Sequence, residues 1–153
     1  MLIRPATTID IPSLMLLANH ASSAAHWSRE QYDRVFATHA PRRAAWVIED
    51  GLDQKENALQ GFLVARESAR EWELENIVIN EQTRRRGFAT RLLRELISVA
   101  RIEHASAIVL EVRESNHAAR AFYENRGFSE TGRRPAYYSQ PNEDAITYRL
   151  QLA

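Results

Sequence analysis

The chain has 153 residues, enough for one domain over residues 1–153, and its 44% hydrophobic and 26% charged residues exclude disordered, collagen-like and low-complexity classes. Its 20 basic and 20 acidic residues cancel, so no global field draws it onto nucleic acid or an anionic membrane, and charge-driven binding must be local. The absence of Cys excludes disulfide scaffolds, thiolate zinc sites and cysteine nucleophiles, and fits a reducing compartment.

The opening residues Met1 to Pro5 lack the apolar core of a secretory signal, and no stretch approaches the ~20 apolar residues of a membrane span. A cytoplasmic location is the expectation. Thr7 with Asp10 and Ser28 with Gln31 have capping-box spacing, which predicts helices near 10–20 and 28–38. Two apolar runs, 44–49 and 61–66, flank a polar segment from Asp50 to Asn57 and read as paired buried strands joined by a hairpin loop. A β-rich run, 72–79, leads into the polar loop 80–87. Ala89, Leu92, Leu93, Leu96, Ile97 and Ala100 then form the stripe of a helix packed on a sheet. Residues 107–112 read as a buried strand. Residues 116–125 read as a short helix with Ala118, Ala119 and Phe122 inward and Gly127 as a left-handed cap. Strands near 128–133 and 144–152 complete the order βααβββαβαββ, an α/β fold with a mixed sheet and helices on its faces.

Three features carry chemistry. The turn Arg84-Arg85-Arg86-Gly87-Phe88-Ala89-Thr90 joins a strand to a helix and offers free N–H groups and the positive end of a helix dipole to a phosphate. The same turn also reads as a solvated charged cap. No Gly-Lys-Ser/Thr follows it, and Leu92 stands where a dinucleotide fingerprint needs its third glycine. Glu111 sits inside the apolar run Ile108-Val109-Leu110-Glu111-Val112, where its carboxylate needs water, a cleft or a partner such as Arg113. Desolvated there, it would have a raised pKa and accept a proton near neutrality. Tyr123 reads either as packing or as a proton donor to a departing thiolate. His20, His26, His39, His104 and His117 have no ligand spacing, so no metal is expected.

Together the basic turn, Glu111, Asn116 and Tyr123 resemble the GNAT acetyltransferases. Residues 77–79 with 84–89 look like that superfamily's acetyl-CoA signature, and 116–128 (NHAARAFYENRGF) like its second signature. Within it, Trp27-Ser28, residues 110–113 with Ser115-Asn116, and Arg133-Arg134 to Tyr137-Tyr138 followed by 143–146 resemble the ribosomal-protein-alanine N-acetyltransferases (RimI). The resemblance implies a mostly antiparallel sheet of about seven strands with about four helices. It implies that Ile77, Val78 and Ile79 align acetyl-CoA, that Arg85, Arg86, Gly87, Phe88, Ala89 and Thr90 hold its pyrophosphate, that Asn116 contacts its pantetheine end, and that Arg84 and Tyr123 also bind the cofactor. Glu111 would be the base and Tyr123 the acid. The acceptor would be the N-terminal α-amine of a small-subunit ribosomal protein, in a pocket walled by Trp27, Tyr137 and Tyr138. Glu143 and Asp144 either attract a basic peptide or cap a turn. Pro135-Ala136 departs from relatives that often carry Asn before the paired tyrosines. Two further readings stay open: acetylation of a small-molecule amine or a protein lysine, and a non-catalytic nucleotide- or RNA-binding module. An even charge balance and the lack of an aromatic-basic stacking pattern speak against the last.

Overall fold

Seven strands form one sheet in the order β1-β2-β3-β4-β5-β7-β6 in a computed structural model that describes residues 1–21, 24–39, 41–50 and 59–152. Along the chain these are β1 (Leu2–Pro5), α1 (Ile11–Asn19), α2 (Arg29–Val35), β2 (Arg43–Glu49), β3 (Leu59–Ser68), β4 (Glu71–Ile79), α3 (Phe88–Ile102), β5 (Ala107–Arg113), α4 (His117–Glu124), β6 (Ser129–Tyr138) and β7 (Glu143–Gln151). The order agrees with the one expected from the sequence. The expected hairpin loop lies, beyond Asp50, outside the described residues.

Local signals explain the helix boundaries. Ser28 Oγ accepts from the Gln31 N–H, while Gln31 returns a 2.8 Å bond to the Ser28 N–H, closing a capping box at α2. Asp10 likewise accepts from the Thr7 N–H at 2.8 Å, and also takes the Arg4 guanidinium, tying the approach to α1 onto β1. Gly87 caps α3 with φ +81, and Gly127 turns the chain after α4 with φ +94, both in the left-handed region where a side chain is strained.

The sheet separates two apolar clusters. On one face Phe88, Leu92, Leu93, Leu96 and Ala100 of α3 pack with Trp72, Leu74, Ile108, Leu110 and Ile146. On the other, Ile11, Leu14 and Ala18 of α1 and Tyr32 and Val35 of α2 cover Val47, Phe62, Val64 and Val78. Two details differ from expectation. The buried residue of α4 is Tyr123, with Ala119 and Phe122 half-buried and Ala118 exposed, because the helix leans one position further round than its alanines suggest. β6 runs to Tyr138, well past Arg133; its residues are exposed almost throughout, so no apolar alternation marks its length.

One irregularity creates the site. Every neighbouring pair of strands is antiparallel except β4 and β5, which run parallel and pair only at Glu71↔Ala107, Trp72↔Ile108 and Glu73↔Val109. Beyond that point β4 continues to Ile79 and β5 to Arg113 without pairing, and the sheet opens between them.

Candidate active site

The opening exposes a backbone edge. Asn80 N–H donates to Gln60 O at 2.8 Å, so in the β3–β4 ladder Phe62↔Val78 is a hydrogen-bonded pair, while Gly61↔Ile79 and Leu63↔Ile77 are not. The N–H and C=O of Ile77 and Ile79 therefore point away from β3, toward the gap that β5 leaves. Val78 turns its amide to Phe62 and its side chain, 3% exposed, into the core under α1. Gly61 holds this edge in place: a Cβ there would lie 2.6 Å from Ile79 Cδ1 and 2.7 Å from Val78 O.

A cleft of about 610 Å³ follows the edge into the basic turn, lined by Ile77, Val78, Ile79, Arg84, Arg85, Gly87, Phe88, Ala89 and Thr90, and by Asn116, Phe122, Tyr123 and Arg126 from the α4 side. Arg85 and Gly87 both have positive φ, +67 and +81, which bends the turn around α3's free N–H groups. No carboxylate is among the described residues lining this cleft. Such a donor set, with guanidiniums, a helix N-terminus and an unpaired strand edge, fits an elongated polyanion carrying amide groups, as acetyl-CoA does. Arg86 is the exception in the expected set. It pairs with Asp50 at 3.1 Å, lies over the Phe88 ring, and does not line the cleft. Arg126, absent from the expected set, donates from Nε to Thr90 Oγ1 at 3.2 Å and so bridges the start of α3 to the end of α4.

A second cleft, of about 540 Å³, lies on the far side of the gap and shares Ala24, Ile77, Asn116, Ala119 and Tyr123 with the first. Its remaining walls include His26, Leu74, Glu75, Asn76, Glu111, Arg113, Tyr138 and Gln140. Glu111, its side chain only 17% exposed, pairs with Arg134 Nε at 2.9 Å and not with the adjacent Arg113. Arg113 instead reaches Glu143 and stacks on Tyr138, 4.4 Å from its centroid. Burial pushes the Glu111 carboxyl above the ordinary range, the Arg134 charge pulls it back down, and the nearby Glu73 adds to the rise.

Tyr123 stands on the wall common to both clefts, 4% exposed, its ring edge-on to Phe122 and Phe128. Burial drives its phenol far above the usual tyrosine range. The helix that carries it is anchored from below: the buried Tyr148 hydroxyl donates to Glu124 at 2.8 Å and accepts from Arg120 Nε at 3.0 Å, and Arg120 also bonds the Glu114 carbonyl. Asn116 begins the helix, accepting from the Ala119 N–H at 3.2 Å.

Tyr138 lines the second cleft, whereas Tyr137 is 53% exposed beneath Arg134 and Trp27 packs edge-on against Tyr32 in the core; neither is part of the wall. The residues just before Trp27, Ala24 to His26, take that place. Glu143 and Asp144 are occupied too: Glu143 by Arg113 and the Ser115 N–H, Asp144 by Arg133 and the Ala136 N–H. No cluster of metal-ligating side chains occurs among the described residues, and no described helix is long and apolar enough to cross a membrane.

Comparison with known proteins points the same way. The chain is 31% identical over 151 residues to the [ribosomal protein bS18]-alanine N-acetyltransferase of Escherichia coli strain K12, covering 95% of this chain and 94% of that protein. It is 40% identical over 79 residues to N-alpha-acetyltransferase RimI of Mycobacterium tuberculosis, a match spanning 52% of this chain but only 48% of the relative. Among solved structures, the E. coli ribosomal-protein-S18-alanine N-acetyltransferase superposes with a TM-score of 0.86 at 27% identity, over 99% of this chain and 94% of that one. A chain of the NatC complex bound to Gag peptide and CoA shares the fold, with a TM-score of 0.84 at 21% identity over 99% and 98% of the two chains. The signature of the Acetyltransferase (GNAT) family matches residues 12–128, so with the splayed strands and the basic turn already in view, the chain belongs to that family.

Proposed function

We propose that this protein acetylates the α-amine of a protein N-terminus, with the N-terminal alanine of a small-subunit ribosomal protein as the acceptor and acetyl-CoA as the second substrate. The observation that carries this reading is the shared wall: Tyr123 lines both clefts, and Glu111 lines only the second, so a donor in one and an acceptor in the other would meet between a base and an acid. The full-length similarity to the E. coli enzyme supports the choice of acceptor.

Acetyl-CoA supplies the activated acetyl group. Arg84, Arg85 and the N–H groups from Gly87 to Thr90 hold its phosphates, and the outward amides of Ile77 and Ile79 bind its chain. An N-terminal amine has a pKa of about 7.7 to 8.0, so a weak base suffices. Glu111 takes the amine proton as nitrogen attacks the carbonyl carbon, and an N–H of Ile77 or Ile79 stabilises the negative charge on the carbonyl oxygen. As the carbon–sulfur bond breaks, Tyr123 gives its proton to the sulfur. Its raised pKa keeps that proton in place across the physiological range. No covalent enzyme intermediate is needed.

The test is thiol release from acetyl-CoA with three acceptors: an alanine-starting ribosomal peptide, the same peptide blocked at its terminus with an internal lysine, and spermidine. The protein has no cysteine to contribute background. Turnover with the free alanine terminus alone is expected; turnover with spermidine or lysine alone rejects the acceptor, and none with any of them rejects the activity.

A further inference from the structure

Two buried polar atoms of the second cleft have no hydrogen-bond partner: Asn76 Nδ2 on β4 and Glu111 Oε2 on β5. Glu111 is the proposed base. Asn76, 6% exposed, has no part in that reaction. A buried amide N–H group without a partner is costly, and an apolar residue would suit its position, since its cross-strand partner Val64 and its same-face neighbour Val78 are both buried. An unused donor kept at such a place needs a use.

Its placement names one. The last β4–β5 pair is Glu73↔Val109, three residues before Asn76 on β4 and two before Glu111 on β5, so both groups stand just past the point where the strands part. Val64 and Val78 belong to the cluster under α1 and α2, which fixes the Asn76 face. Glu111 alternates with Ile108 and Leu110 of the opposite cluster, so it lies on the same face as Asn76. The cleft thus presents a carboxylate oxygen from one strand and an amide donor from the other, on one side of the gap. A chain terminus carries the complementary pair, an amine nitrogen and a carbonyl group separated only by the α-carbon. A polyamine has no such carbonyl, and a lysine side chain carries its own far from the amine.

We propose that Asn76 donates a side-chain hydrogen bond to the carbonyl oxygen of the acceptor's first residue and thereby selects α-amines of peptides over other amines. This rests on the N-terminal acetylation reading and assigns its selectivity to one residue.

The experiment compares an alanine-starting peptide with an analogue whose first amide is replaced by a trans alkene, which keeps the shape and removes the carbonyl. The wild-type kcat/KM should favour the peptide by roughly 10- to 100-fold, the value of one buried hydrogen bond. In Asn76→Leu and Asn76→Ala that preference should collapse toward parity, with coenzyme A affinity and melting temperature showing that the variants are folded. In the wild-type protein, the 15N side-chain amide resonance of Asn76 should move with the peptide and not with the analogue. A preference that survives in the variants, or an amide resonance indifferent to the peptide, overturns the role of Asn76 while leaving the acetylation reading intact. Failure of the wild type to acetylate either compound overturns both.

Discussion

The two clefts are built in different ways. The first is mostly one continuous stretch, a strand, a turn and the start of α3 between Ile77 and Thr90, completed by α4. The second draws on five separate places: residues 24–26, the middle of β4, the end of β5, α4 with its cap Asn116, and the end of β6 with the turn after it. Among the described residues the first is lined by arginines with no carboxylate, and the second mixes Glu75, Glu111, Arg113 and His26. The polyanion site proposed for the first can be written as a local motif. The amine site proposed for the second has to be assembled by the fold.

The largest effect is expected from removing the proposed proton-transfer groups. Glu111→Gln and Tyr123→Phe should each lower kcat by about 10² to 10⁴-fold, the usual range for a lost proton-transfer group. Coenzyme A binding, measured by calorimetry, should survive in Glu111→Gln, because Glu111 does not line the first cleft. Equal loss of binding and turnover in that variant would mean the clefts are not separable.

Gly61→Ala tests the first cleft from underneath. The added methyl meets Ile79 and the Val78 carbonyl at less than 3 Å, so the β4 edge must shift. Overpacking of this kind costs about 1–3 kcal/mol and should appear both as a lower melting temperature and as weaker coenzyme A binding. Unchanged affinity would disconnect the Ile77–Ile79 edge from the donor site.

Arg134→Gln sharpens the account of the second cleft. A base must be ionised to act, burial raises the Glu111 pKa, and Arg134 opposes the rise. Removing that charge lets the pKa climb further, so the acid limb of the kcat/KM profile should move to higher pH, with Arg134→Lys restoring it. An unmoved limb would show that Glu111 is not the group titrating.

The smallest effect concerns the hairpin that brings Tyr138 to the cleft. Ala136 has φ +50, a left-handed conformation that Asn tolerates better than Ala. Ala136→Asn should raise stability by roughly 0.5–1 kcal/mol, read by urea unfolding, with little change in turnover.

Much of this molecule could be read directly from its residues. The stripe from Ala89 to Ala100, the two capping boxes and the glycines at 87 and 127 are local rules, because helix periodicity and backbone sterics act within a few residues. The basic turn proposed to bind phosphate belongs with them. Arg86 did not follow its neighbours, since Asp50, distant in sequence, captures its charge. Trp27 and Tyr137 are aromatic like Tyr138, and only packing against Tyr32 in one case and exposure under Arg134 in the other separates them from it.

Asn76 shows the boundary most clearly. In the sequence it is one polar residue in a β-rich run and carries no spacing or motif that marks it. Its meaning comes from the parallel pairing that stops at Glu73↔Val109, which leaves the ends of β4 and β5 apart and puts an amide and a carboxylate on the walls of one cleft. Residue order determined the elements and the basic turn, because those depend on near neighbours. The second cleft was decided by the tertiary structure, because hydrogen-bond register and ion-pair choice are settled between segments that meet only in the folded chain.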